Sequence, residues 1–311
     1  MPLRLKETLV LHCVLDRETS KEMPKNCPVC AVVVTFNPVS DFVPNLSLIN
    51  SQVEHIVIVD NGSSAATLSL LDSVQEQFCC TIIRNKMNLG IAAALNQGCR
   101  FAVEHDFAWI VTFDQDSTVT ENFIQALLLD AAQVKDLGMI SPRYVDRRSN
   151  NAIPLPKTSS GRLITTLTSG SLLRTDSYIK AGPFNESLFI DCVDIEYCLR
   201  LRSMERCIAE SGNAVLLHSL GKTTFHKVLG RNLPVTNHSP TRRYYMTRNS
   251  LYVSFQYPRE RSWIRHNRLN TFIDAMKILL FEKQKLAKLR FMIKGIVDCL
   301  RGRMGQQVLI S

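Results

Sequence analysis

Four short runs of β-branched and apolar residues, each closed by a polar turn and separated by helix-length stretches, constrain this chain more than any other feature. Cys30-Ala-Val-Val-Val-Thr-Phe36 stops at Asn37-Pro38, and His55-Ile-Val-Ile-Val-Asp60 stops at Asn61-Gly62-Ser63-Ser64. Cys80-Thr-Ile-Ile-Arg84 follows, and then Phe107-Ala-Trp-Ile-Val-Thr-Phe113, closed by Asp114-Gln115-Asp116. Continuous apolar runs of this length read as strands buried on both faces, and parallel strands need long crossovers between them. Residues 43–52, 65–78 and 91–104 supply helical crossovers; a further helix is expected over about 121–135 and a strand at 138–141. The expected fold class is α/β, a Rossmann-like, mostly parallel sheet flanked by helices. Ligands of such sheets gather at the carboxyl ends of the strands. The polar turns after Thr35, Asp60 and Phe113 are therefore expected to share one site.

After Tyr144 the rhythm breaks into a Ser/Asn/Pro-rich loop over 147–160. A strand is expected around 163–173, a turn at Gly182-Pro183-Phe184-Asn185, a helix over 194–203 and a late strand at 213–218. Residues 1–29 show no sustained period and are expected as an extension. The main domain is expected over 30–257 and a basic amphipathic helical tail over 258–311.

With 45% hydrophobic and 21% charged residues in 311, the chain has the make-up of a folded protein, which excludes collagenous and disordered classes. No apolar run reaches the roughly 18 residues of a membrane span. The Leu9 to Leu15 stretch is too short and runs on without a small-residue cleavage site, so cytoplasmic residence is expected. The ten cysteines sit mostly in apolar segments and read as reduced thiols; Cys27-x-x-Cys30 has no second pair to make a zinc site. Twelve Lys and Arg against four Asp and Glu fall between Pro258 and Arg303, so nearly the whole formal charge of +9 lies there. The rest is close to neutral, which argues against a nucleic-acid partner. In the same region Trp263, Phe272, Leu279, Phe281, Phe291 and Ile296 are interleaved with the basic residues. Helices of this kind either lie in an anionic membrane interface or pack on the domain with their charges solvated, and peripheral membrane contact through this tail is the expectation.

Three groups of acids carry candidate chemistry. Asp114 and Asp116, on a turn after a buried strand, suit a hard divalent cation, Mg²⁺ or Mn²⁺, that also takes phosphate oxygens; helix capping is the other reading. Asp60 ends a strand where nucleotide-binding folds place an acid on a ribose or base, but no Gly-x-Gly-x-x-Gly opens the first helix, which disfavours a dinucleotide fold. Simple turn chemistry also accounts for it. Asp191, Asp194 and Glu196 are set among large apolar residues, where a carboxylate is costly unless paired, ligated or in use. One of them can serve as a general base, and Asp194 with Glu196 also suit the first turn of a helix.

Taken in order, Ala-Val-Val-Val-Thr-Phe-Asn-Pro38, Val-Asp-Asn-Gly-Ser63, Asn-Leu-Gly-Ile-Ala-Ala-Ala-Leu-Asn-Gln-Gly98, Asp-Gln-Asp116, Thr-Ser-Gly-Ser171 and Asp-x-x-Asp-Ile-Glu-Tyr-Cys-Leu-Arg200 resemble an inverting glycosyltransferase of family 2 with the GT-A fold. The Leu188-Phe-Ile-Asp191 block, His-Ser-Leu-Gly221 and His-Ser-Pro-x-Arg-x-Tyr-Tyr-x-x-Arg-Asn249 make the likeness greatest to bacterial rhamnosyltransferases, over about Ala31 to Val253. The resemblance implies that Thr35, Asn37 and Asp60 hold the nucleoside, and Asn88 and Gly90 the region of the ribose and phosphates. It puts Asp114 and Asp116 on a metal-bound diphosphate approached by His218, and Arg248, within the Arg242 to Asn249 segment, beside the diphosphate or acceptor. Asp194 is the implied base, with Asp191 as competitor because Val193 stands where many relatives have an acid. The implied partners are a nucleotide-diphosphate sugar, dTDP-rhamnose foremost, and a lipid-linked saccharide of a surface polysaccharide, at the inner face of the plasma membrane. Two other readings are a sugar nucleotidyltransferase, disfavoured because Phe36-Asn37-Pro38-Val39-Ser40 lacks a Gly-rich basic loop, and a non-enzymatic binder of membrane surfaces or anionic polymers.

Overall fold

The computed structural model describes residues 28–39, 41–147, 149–218, 223–228 and 230–307. The extension expected over residues 1–29 lies almost wholly outside them, as does Cys27. The first half alternates as the apolar runs require: β1 (Val29–Thr35), α1 (Phe42–Asn50), β2 (His55–Asp60), α2 (Ala65–Gln77), β3 (Cys80–Arg84), α3 (Ile91–Glu104) and β4 (Trp109–Asp114). The short β5 (Thr118–Val119), α4 (Phe123–Ala131), β6 (Leu137–Asp146) and β7 (Ala152–Ile153) follow. The second half comprises β8 (Ser171–Arg174), α5 (Thr175–Ala181), a 3₁₀ turn at Glu186–Leu188, α6 (Val193–Ser203) and β9 (Cys207–His218). A hairpin of β10 (Thr224–Val228) and β11 (Arg231–Val235) precedes α7 (Pro240–Gln256), α8 (Arg261–Phe281) and α9 (Lys285–Leu300).

The main sheet runs β3-β2-β1-β4-β8-β6-β9-β5, with β7 paired to β6. The β1–β2, β2–β3, β1–β4 and β6–β9 pairs are parallel, whereas β8 runs antiparallel to both β4 and β6. Every residue of β1 is buried, as the unbroken apolar run requires, because the strand is covered on both faces. One cover centres on Ile58, Leu71, Phe113 and Phe123, the other on Val32, Leu95, Ile110 and Tyr197.

The strand expected at 163–173 is mostly irregular, and only Ser171–Arg174 forms β8. Side chains take several of its carbonyls in place of a ladder: Tyr144 donates to those of Leu167 and Ser169, and Thr112 to that of Thr168. The segment expected as a tail is, as far as residue 307, built onto the domain. Gly295 brings α9 so close to α7 that an added Cβ would stand 2.7 Å from the Tyr244 carbonyl oxygen. Arg243 of α7, 2% exposed, joins Asp274 of α8 at 2.6 Å and buried Glu282 at 2.7 Å, and Lys288 of α9 reaches the same Glu282. Burial alone would raise Glu282, but Lys288 and Arg243 hold its carboxyl below its ordinary value.

Candidate active site

Strand register brings the polar strand ends together. Thr35 pairs with Asp60, and Val34 with Asp114, so the ends of β1, β2 and β4 form one edge. Thr35 Oγ1 donates to Asp60 Oδ1 at 3.3 Å, and Ser63 donates to Asp60 through both its amide and its hydroxyl. The Asn37 amide donates to Ser63 Oγ, while Asn37 Oδ1 accepts from the Ser64 amide at the start of α2. Asn88 Oδ1 accepts from the Gly90 amide and from Asn61 Nδ2. Thr35, Asn37, Asp60, Asn88 and Gly90 thus share this edge, beside the main cleft and not in its lining. Asn61, treated in the sequence only as a turn residue, ties the edge together: buried at 3% exposure, it also donates to the Gly90 carbonyl and accepts from the Leu89 amide.

The cleft has a volume of about 970 Å³. Asp114, Asp116 and His218 line it from the strand ends, Asp191 and Asp194 from the start of α6, and Thr168 and Ser169 from the irregular segment. Arg242 and Arg243 of α7 and a polar stripe of α8, including Asn267, Asn270 and Asp274, also face it. Burial, with Asp116 beside it, raises the Asp114 carboxyl to about 6 against the pull of His218 and Arg242. Burial likewise raises Asp194 to about 6; the Ile195 amide, donating to Asp194 Oδ1 at 2.8 Å, pulls it back, while Asp191 and Asp114 push it up. The α8 stripe was missed in the sequence, although spacings of three and four residues are a helix-face signal.

A strained loop presents the two aspartates. Phe189, Asp191 and Cys192 all have positive φ, between 62° and 65°, in the left-handed region that L-residues rarely occupy. Asn249, fully buried on α7, donates through Nδ2 to the carbonyls of Leu188, Ile190 and Asp191, and so holds the loop in that shape. Arg248, expected beside the diphosphate or acceptor, is placed differently: it is fully buried and absent from the cleft lining. Its guanidinium donates to the carbonyls of Leu188 and Gly305 and lies over the rings of Tyr244 and Tyr245. The cause is the helical turn, which points Arg242 into the cleft and carries Arg248 round to the protein interior. Asp191 itself accepts from Arg242 at 3.1 Å, whereas Asp194 has no ion pair among the described residues.

Among the described residues no three His, Cys, Asp or Glu side chains converge as a closed metal-binding group. The donor set at the strand ends nonetheless fits an open site. Asp114 and Asp116 offer carboxylate oxygens into the cleft, and His218 Nδ1 is buried with no hydrogen-bond partner. A hard divalent cation held there would leave positions open for oxygens of a ligand.

Comparison with known proteins agrees with this geometry. The model of glycosyl transferase family 2 matches residues 30–188, which run from β1 to the 3₁₀ turn before the strained loop. The dTDP-rhamnosyl transferase RfbF of Shigella flexneri is 27% identical over 90% of this chain and 98% of its own length. Among solved structures, S. aureus TarS (residues 1–349) with UDP-GlcNAc aligns at a TM-score of 0.57, with 15% identity, over 88% of this chain and 81% of that one. The mannosyltransferase PcManGT of Pyrobaculum calidifontis, solved with GDP-Man and Mn²⁺, aligns at 0.55 with 14% identity over 90% and 89%. These structures share the fold, which is GT-A. With the family match spanning half of the sequence, the chain belongs to glycosyl transferase family 2 and is a glycosyltransferase.

Proposed function

We propose that this enzyme transfers rhamnose from dTDP-rhamnose, with inversion, to a hydroxyl of a lipid-linked saccharide in the assembly of a surface glycan at the inner face of the plasma membrane. The observation that carries the reading is the opposition, across one cleft, of Asp114, Asp116 and His218 at the strand ends and the Asp191–Asp194 pair. The likeness to RfbF over almost its whole length supports rhamnose as the sugar.

In this reading Thr35, Asn37 and Asp60 bind the nucleoside, and the region of Asn88 and Gly90 lies along the ribose and phosphates. Asp114 and Asp116, with His218, would hold a divalent cation, which would supply positive charge to counter the departing diphosphate. Arg242, whose charge acts on Asp114, contributes a second positive charge to the cleft. Asp194 takes the proton from the acceptor hydroxyl as it attacks the anomeric carbon from the face opposite the leaving group, and a single displacement of this kind inverts configuration. We favour Asp194 over Asp191 as base because the Asp191 carboxylate is already committed to Arg242. A base with its carboxyl raised to about 6 is largely ionised at pH 7 yet more basic than a free aspartate. The polar stripe of α8 faces the acceptor.

A thermal-shift panel of dTDP, UDP and GDP, each with and without Mn²⁺, tests the reading, since a ligand selective for the folded state raises its stability. A metal-dependent preference for dTDP is expected. A preference for UDP or GDP would overturn the rhamnose assignment, and silence towards all three would overturn the donor site.

A further inference from the structure

Helix α8 is amphipathic in the reverse of the usual sense. Asn267, Asn270, Thr271, Asp274 and Lys277, one turn apart, face inward and line the cleft. Leu269, Phe272, Met276, Leu279 and Leu280 lie on the opposite side, and Leu269, Phe272 and Leu280 are 55%, 65% and 61% exposed. Only Trp263 and Ile278 anchor the helix by burial. A soluble helix normally turns its apolar stripe inward, and a contiguous exposed stripe marks an interaction surface.

Charge identifies the partner. The helix carries four basic residues and one acid, and that acid, Asp274, is on the cleft side, paired with Arg243. Arg261, Arg265 and Arg268 are exposed around the near end of the apolar stripe, and Lys283 and Lys285 around its far end, next to Leu286 at 84% exposure. Apolar side chains framed by cations, with no acid among them, complement an anionic lipid surface, where burial and charge act together.

We propose that the outer face of α8 is a seat on an anionic bilayer, and that the same helix, through its polar inner face, sets the glycosyl-transfer cleft against that surface. This inference rests on the function proposed above and adds to it the element, the face and the orientation. One helix then meets both parts of a lipid-linked acceptor, the carrier's membrane outside and the saccharide inside.

The test is flotation of the full chain with vesicles of phosphatidylglycerol and phosphatidylcholine in equal parts, beside vesicles of phosphatidylcholine alone. The unmodified chain is expected to float with the anionic vesicles and much less with the neutral ones. The triple variant Leu269→Ser/Phe272→Ser/Leu280→Ser is expected to lose at least about tenfold in partitioning, because three apolar side chains no longer enter the interface. A second variant, Arg261→Gln/Arg265→Gln/Arg268→Gln, is expected to lose the preference for the anionic vesicles. The dTDP–Mn²⁺ thermal shift, unchanged in both, shows that fold and cleft are intact. Equal flotation of all three proteins, or none by the unmodified chain, would overturn the seat. A dimer that the triple variant converts to monomer, without vesicle binding, would overturn it in favour of a second copy. No nucleotide response in the unmodified chain would instead strike at the donor site and leave the vesicle result to judge the surface by itself.

Discussion

Asp194 carries the heaviest demand of any single residue in this account. It opens α6, accepts one backbone hydrogen bond and is surrounded by other acids, and burial raises its carboxyl to about 6. If it is the base, the rate of transfer falls on its acid side, with the limb centred near pH 6 where free aspartate would place it about two units lower. Asp194→Asn is expected to lower kcat by roughly 10²- to 10⁴-fold, the usual worth of general-base catalysis, with dTDP binding retained. Stability should move the other way. A carboxyl raised in the folded state favours folding fully only below its unfolded value near 4, and that contribution is lost progressively as pH rises from there through about 6. Asp194→Asn is therefore expected to raise Tm at pH 7, to raise it less at about pH 5 and to change it little only below about pH 4, where the folded and unfolded carboxyls are both protonated, as scanning calorimetry across that range would show. An equal loss of turnover in Asp191→Asn, with Asp194→Asn unaffected, would transfer the role to Asp191.

At the scale of elements, the loop that presents Asp191 and Asp194 owes its shape to its neighbours. Gly90, at the start of α3, has φ of +90°, and a Cβ there would lie 2.6 Å from the Phe189 carbonyl oxygen and 2.9 Å from its Cα. The Ile91 amide donates to the same carbonyl at 2.8 Å, so α3 abuts the loop that presents Asp191 and Asp194. Gly90→Ala combines a left-handed backbone with a backbone collision and is expected to cost about 1–3 kcal/mol by chemical denaturation, with a parallel loss of turnover. From the other side α7 grips the loop through Arg248 and Asn249. Arg248→Ala leaves buried carbonyls without their charged donor and is expected to destabilise by about 3 kcal/mol or more. A donor-binding Arg248 would instead give weakened dTDP binding at unchanged stability.

For the whole molecule, the parallel half was legible because buried strands and crossover helices write themselves as apolar runs and polar stops. The register that aligns Thr35, Asp60 and Asp114 follows from that pattern; of the acidic and histidine side chains expected at the site, Asp114, Asp116, Asp191, Asp194 and His218 line the cleft, whereas Asp60 and Glu196 do not. Less was legible after Tyr144. The segment before β8 is apolar and Thr-rich like a strand, but several of its carbonyls bond the side chains of Thr112 and Tyr144, distant in sequence, and no local period records them. Arg248 and Asn249 lie in a motif whose presence was plain, yet whether a helical residue points to cleft or core depends on how α7 is rotated against the loop and α9. The outward apolar face of α8 is written in the sequence as an amphipathic period, but which side meets the protein is set by Trp263, Ile278 and the Arg243 ion pairs. The central claim is that the acidic turn after β4 grips a donor's diphosphate through a cation. Calorimetric titration of dTDP-rhamnose into the unmodified chain and into Asp116→Ala, each in Mn²⁺ and in EDTA, tests it most directly. The account predicts binding by the unmodified chain in Mn²⁺ that EDTA and the substitution each abolish or severely weaken; binding indifferent to both would contradict it.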